Sequence, residues 1–276
     1  MRAVRTSKGL SIQSSWSDNT KNDLDTPWKF SGGSWTKEPA DDVIILVWNI
    51  NDSIPGFNTR GGSMIKQNPR SFARVRGFTI ELPDYEEKIG QPLPSGDIWD
   101  LALGLTNPLN LANDMYLAPE KALNKESENA PLVLTAQSDA FLYGTPWSKN
   151  VTVGPDGQER PIYRFREGKT VENTPFPTTV DTVLITETDV WQEGQTVPYY
   201  LFEEGKNWGG SMDDVAAKGV YADGVWTTEM KRKLVTSNKD DIQFKLKPGK
   251  NYFVFSIMIR DGDSNYYPSP PISLEL

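Results

Sequence analysis

The apolar positions along this chain fall into short runs rather than long helical stripes. Val43–Ile50 reads Val-Ile-Ile-Leu-Val-Trp-Asn-Ile and follows the acidic pair Asp41-Asp42. Thr182–Thr186 and the longer Asn251–Ile259 are of the same kind, rich in β-branched and aromatic residues, and predict strands. Leu10–Trp16, Arg74–Ile80 and Asp241–Leu246 alternate apolar with polar residues, the period of half-buried strands. Pro248-Gly249 predicts a tight turn, so Ile242–Leu246 and Tyr252–Ile259 are expected to form a hairpin. Helical signals are few. Asp97–Leu105 follows Ser95-Gly96 and stops near Asn107-Pro108, and Met212–Ala217 has Ser211 or Asp213 as a cap. Pro119–Pro131 is polar and predicts loop or short helix, and Asn150–Thr179, with Gly154-Pro-Asp-Gly157, predicts a long excursion or hairpin. No repeat of fixed period interrupts this pattern. The expected fold is mostly β: a single-domain antiparallel β-sandwich over residues 1–276, with long loops, a few short helices and a loop-rich insertion at 119–180.

Composition removes chemistry more than it adds any. The chain of 276 residues contains no histidine and no cysteine. Ser-His-Asp and Cys-His nucleophiles are therefore excluded, as are imidazole and thiolate metal sites, disulfides and covalent haem attachment. What remains is the oxygen chemistry of Asp, Glu, Tyr and Ser, together with lysine and thioether sulfur. A hydrophobic content of 37% with 11% aromatic residues suffices for a core. The net charge of −8, from 29 basic and 37 acidic residues, argues against a nucleic-acid partner. No stretch approaches the roughly 20 apolar residues of a membrane helix, so no transmembrane segment is expected. Met1–Gly9 has a charged start without an apolar core behind it and does not read as a signal peptide.

Three segments together resemble the haem-binding domain of the ethylbenzene dehydrogenase family, which includes the gamma subunits of DMSO-reductase-type molybdoenzymes and related periplasmic cytochromes. The first runs from Lys8–Asp18, with its Trp16-Ser-Asp18 turn, through Trp35 and Asp41–Ile50 to Gly56-Phe57. The second is Gly96-Asp-Ile-Trp-Asp100 with Thr106-Asn-Pro108 and Asn113–Tyr116. The third joins Asp223–Trp226, Arg232–Leu234, Asp240–Ile242, Phe253–Asp261 and Pro270–Leu274. The resemblance implies a DOMON-like β-sandwich that holds haem, works in electron transfer or as an accessory beside a catalytic subunit, and resides outside the cytoplasm. The haem-ligand positions depart from the family. Where many relatives carry a Gly-Cys…Cys-His segment, this chain has Gly61–Asn68, and where many carry a late His it has Ser264-Asn-Tyr-Tyr267. The gamma subunits use a Met and a Lys, but the aligned strand Val43–Trp48 holds no Met and no Lys follows Lys250.

Several side chains remain as site candidates. Met64 and Met258 are the haem axial candidates, weighed against gap-filling in a core. Asp261, Asp263 and Asn265 present oxygens at alternate positions, as a calcium loop does, weighed against an ordinary hydrogen-bonded turn. Asp97, Asp100, Asp213 and Asp214 are acidic residues beside turns, with glycosidase-like pairing as the remote alternative. Trp147, Trp191 and Trp208, with Trp28 and Trp35, lie in Gly/Pro-rich surroundings where indoles contact partners or stack on sugars. Trp16, Trp48, Trp99 and Trp226 read as core. Lys231-Arg-Lys233 reads as the solvated faces of one strand. The leading reading is a non-catalytic accessory or assembly subunit of a respiratory molybdoenzyme-type complex that has lost its haem, joined to molybdenum oxidoreductase subunits or to itself. The alternatives are a haem b electron-transfer subunit and a carbohydrate-binding module.

Overall fold

The Val43–Asn49 strand decides the architecture, because it is apolar at successive positions and so must be covered on both faces. In the computed structural model its seven residues are all buried. Ile44, Leu46 and Trp48 enter one core, while Val43, Ile45 and Val47 enter another. The structure describes residues 1–23, 27–67, 78–86, 90–119, 132–138, 147–170, 173–174, 177–203, 213–262 and 265–276.

Two antiparallel layers enclose the first core. One layer runs Arg2–Arg5, Leu10–Ser17, Val225–Arg232, Val215–Ala222. The other runs Leu111–Pro119, Gly96–Ala102, Val43–Asn49, Tyr252–Arg260, with Ile272–Glu275 and Tyr267–Pro268 on the far edge. Leu111–Pro119 joins the layers by pairing Leu111 and Ala112 with Ala216 and Val215. Farther along, its free edge takes Leu132–Ser138, which leads to Phe78–Leu82 and Ile65–Gln67. These strands and the turns at Ile54–Met64 cover the outer face of the second layer and make the second core.

The expected β-sandwich is therefore present, but several local expectations are corrected. Asp97–Leu105 is not a helix; Gly96–Ala102 is a strand whose Trp99 and Leu101 face one core and Ile98 the other. Met212–Ala217 gives way to the strand Val215–Ala222, whose buried Val215, Ala217 and Gly219 alternate with exposed neighbours at period two. Met212 itself lies outside the described residues. The hairpin of Ile242–Leu246 with Tyr252–Ile259 does not form. The Ile242 N–H donates to Asp97 and the Phe244 N–H to the Leu234 carbonyl, and Tyr252–Arg260 pairs with Val43–Asn49 instead. Trp28 is a buried strand residue rather than a loop indole.

Beside the sandwich, residues 147–203 and the Trp28–Lys37 hairpin form a satellite of small antiparallel sheets. Thr182–Leu184 belongs here, not to the main core, and leaves Leu184 exposed. Trp28, Val197 and Tyr199 fill the satellite's own small core. Asn150 staples it together. Its amide donates to the Tyr163 and Pro198 carbonyls at 2.8 Å each, and its side-chain oxygen accepts from Ile162 N–H at 2.9 Å and Tyr163 N–H at 2.8 Å. Its own carbonyl accepts the Trp28 indole N–H at 2.8 Å.

Asn150→Ala leaves these buried backbone groups without partners and is expected to destabilise the satellite by about 3 kcal/mol. Hydrogen exchange read by mass spectrometry is expected to rise in 147–203 with Val43–Asn49 unchanged. Exchange that rises equally in both regions would show the satellite has no separate stability.

Candidate functional site

Three polar or apolar concentrations stand out from the packing. The first is Arg232, completely buried at the end of its strand. Its Nη1 donates to Asp97 Oδ2 at 2.6 Å and lies 3.4 Å from Asp114 and 3.7 Å from Asp241. Nη2 donates to the Ile242 carbonyl at 2.5 Å, and the guanidinium stacks 4.9 Å from the Trp99 ring centre. Burial works against the charged guanidinium, but the three carboxylates outweigh it and hold Arg232 above its ordinary value. Burial and the Asp97 charge push Asp114 well above the usual carboxylate range despite the pull of Arg232. Burial likewise pushes Asp241 up to about 6 despite the pull of Arg232.

Arg232 was expected at solvent within Lys231-Arg-Lys233, and that reading is wrong for the middle residue. Trp226, Thr228, Met230 and Arg232 all point inward at period two, and that alternation was the available signal. Of the four acidic residues compared with glycosidase pairs, Asp97 is committed to this node, and Asp214 accepts from the Asn238 amide at 2.8 Å.

The second concentration lies at one end of the sandwich. Asp18 follows the Leu10–Ser17 strand, Asp42 precedes Val43, and Asp261 follows Arg260. Arg260 and Val43 are register partners, which brings Asp261 opposite Asp42. One carboxylate oxygen from each of the three aspartates lies within 4.8 Å of the others. Asp42 accepts the Trp226 indole N–H at 2.8 Å, and burial pushes its carboxyl up to about 6. Of the calcium-loop candidates, Asp261 is thus drawn to Asp18 and Asp42. Asn265 is exposed, and Asp263 lies outside the described residues.

The third is the satellite surface. It turns Val153, Val180, Leu184 and Val190 outward, with Val190 88% exposed. Trp191 packs edge-on against Trp35 at 4.8 Å, and Trp147 packs edge-on against Tyr200 and Phe202. Both rings are used in folding the satellite. Trp208 lies outside the described residues.

The sequence matches the ethylbenzene dehydrogenase family over residues 1–256. The chain belongs to the ethylbenzene dehydrogenase family. Among curated proteins, none matches it.

Haem, which resemblance to this family implies, can be tested against the donors present. Met64 and Met258 are both buried in the second core, with Met115. That core is closed by the chain's own atoms. A Cβ at Gly62 would lie 2.6 Å from Ser256 Oγ and 2.7 Å from Pro268, and one at Gly61 would lie 2.5 Å from the Pro271 nitrogen. No slot for a flat macrocycle separates the turn carrying Met64 from the strand carrying Met258. An open cleft of about 790 Å³ has room, but its described lining, including Asp52, Arg60, Leu82 and Tyr85, holds no thioether. Tyr85 packs against the second core. The two methionines pack in a closed core and do not offer haem an axial thioether from the cleft.

Two outcomes follow for the Arg232 node. Arg232→Met strands buried carboxylates and is expected to cost about 3–5 kcal/mol at pH 8, and less at pH 5, where Asp241 takes up a proton. Denaturant unfolding at the two pH values checks this; an equal loss at both would contradict it. In the intact protein, Asp241 holds its proton to about pH 6, against 3.8 for the ordinary side chain. The folded chain then binds more protons across that window, so its stability is greatest below it and falls as pH rises through about 6. The thermal midpoint in chelator-containing buffer is expected to be lower at pH 8 than at pH 5, and Asp241→Asn is expected to narrow the difference. A midpoint that rises over this range would contradict the assignment.

Proposed function

We propose that this chain is a non-catalytic accessory subunit of a respiratory redox complex of the molybdoenzyme type, working outside the cytoplasm without haem. The carrying observation is the satellite, which turns Val153, Val180, Leu184 and Val190 to solvent on small sheets that the sandwich core does not require. Exposed apolar side chains on the satellite, Val190 the most exposed of them, fit a surface that another subunit covers. Membership of the ethylbenzene dehydrogenase family supports a partner of the redox-enzyme class. The closed packing around Met64 and Met258 supports loss of the cofactor. The absence of histidine and cysteine supports a role without catalysis. Among the described residues, no helix is long and apolar enough to cross a membrane, so attachment through the partner fits better than a helical anchor.

Two measurements test the reading separately. The visible spectrum of the purified protein is expected to lack a Soret band, before and after incubation with hemin. A Soret band that shifts on dithionite reduction overturns the haem-free role and favours electron transfer. Tagged protein is expected to co-purify with a molybdenum oxidoreductase, and Leu184→Asp with Val190→Asp to weaken that capture about tenfold while leaving the thermal midpoint unchanged, as for loss of interface anchors. Capture unaffected by the double substitution would remove the satellite from the interface.

A further inference from the structure

The corner built by Asp18, Asp42 and Asp261 differs from the Arg232 node in one respect. Arg232 supplies a cation to its carboxylates, whereas no described lysine or arginine pairs with Asp18, Asp42 or Asp261. The nearby Arg260 is spent on Asp41, with its Nη2 2.6 Å from Asp41 Oδ1. Asp18 is only 4% exposed. Its Oδ1 accepts from the backbone and hydroxyl of Thr20, but its Oδ2 is buried with no hydrogen-bond partner. A buried carboxylate oxygen left in that state is costly unless a positive charge meets it.

We propose that Asp18, Asp42 and Asp261 bind a hard divalent cation of the Ca²⁺ class. The spacing suits it: Ca²⁺ takes oxygen ligands at about 2.3–2.6 Å, so oxygens on opposite sides of one ion lie roughly 5 Å apart. Here one oxygen from each aspartate falls within 4.8 Å of the other two. The Thr20 hydroxyl, which donates to Asp18 at 3.1 Å and to Asp261 at 3.2 Å, already links the innermost and outermost carboxylates. Asn22 holds Asp42 through its backbone N–H at 3.0 Å and its amide at 3.3 Å, and the same amide donates to the Thr20 hydroxyl at 3.1 Å. Asp261 is exposed, which leaves a solvent path for entry and for water ligands.

The position gives the ion a structural task. Asp18 ends a strand of one layer, while Asp42 and Asp261 belong to paired strands of the other. A bound cation therefore clips the two layers at a corner where the three carboxylates otherwise repel.

Trp226, hydrogen-bonded to Asp42, lies beside the site and provides the readout. After chelation and desalting, Tb³⁺ is expected to give tryptophan-sensitised emission that Ca²⁺ displaces, and Ca²⁺ alone is expected to raise the thermal midpoint saturably. Asp261→Asn, at an exposed position, is expected to keep the far-ultraviolet circular dichroism and weaken both responses at least tenfold, as loss of one of three charged ligands does. Asp156→Asn in the satellite is expected to change neither. Absence of Ca²⁺-displaceable emission, or a full Ca²⁺ response in both Asp261→Asn and Asp18→Asn, overturns the proposal.

Discussion

A guanidinium removed from water needs matching negative charge, and Arg232 draws it from three separate parts of the chain. Asp97 lies on the strand beside the fully buried Val43–Asn49, Asp114 on the strand joining the two layers, and Asp241 in the segment after Arg232's own strand. Asp97 also accepts the Ile242 N–H at 2.8 Å. This bond holds Ile242 and Phe244 in the first core and prevents Asp241–Leu246 from joining a hairpin. Trp99 and Phe244 face the guanidinium and exclude solvent from it. Such a group is weak evidence for net stability, because desolvation consumes most of the attraction. Its contribution is to orientation: an alternative packing of the two layers would leave a buried charge without a partner.

The sandwich and the satellite divide the labour of the fold. The sandwich buries most of its large apolar side chains in two cores, the Met64 and Met258 thioethers among them. The satellite uses aromatic edges and one buried asparagine, and spends its valines and a leucine on the surface. The family match spans both the sandwich and the satellite.

Much of this was legible in the sequence wherever side-chain alternation reported a single buried face. Leu10–Ser17 is read correctly because its buried Leu10, Ile12 and Ser14 alternate with less buried neighbours. Gly96–Ala102 was misread because a strand buried on both faces shows no alternation, while Ser95-Gly96 and Asn107-Pro108 imitate helix boundaries. Arg232 was missed because two lysines flank it, although it continues the inward series from Trp226. The three-aspartate corner depends on strand register between residues some 200 positions apart, which no local pattern encodes. Asn150 was equally hidden, since its partners come from Trp28, Tyr163 and Pro198.

The pairing of Leu10–Ser17 with Val225–Arg232 has a consequence for how the polypeptide comes into being. The Leu10–Ser17 strand lacks its inward neighbour until more than two hundred further residues exist. Its apolar side waits for Val225–Arg232, so the first core cannot close before that strand exists. Closure of so wide a loop is slow compared with local pairing. Closure of the first core is thus a late event, and a chain ending before Val225 would lack the strand that joins Leu10–Ser17 to Val215–Ala222.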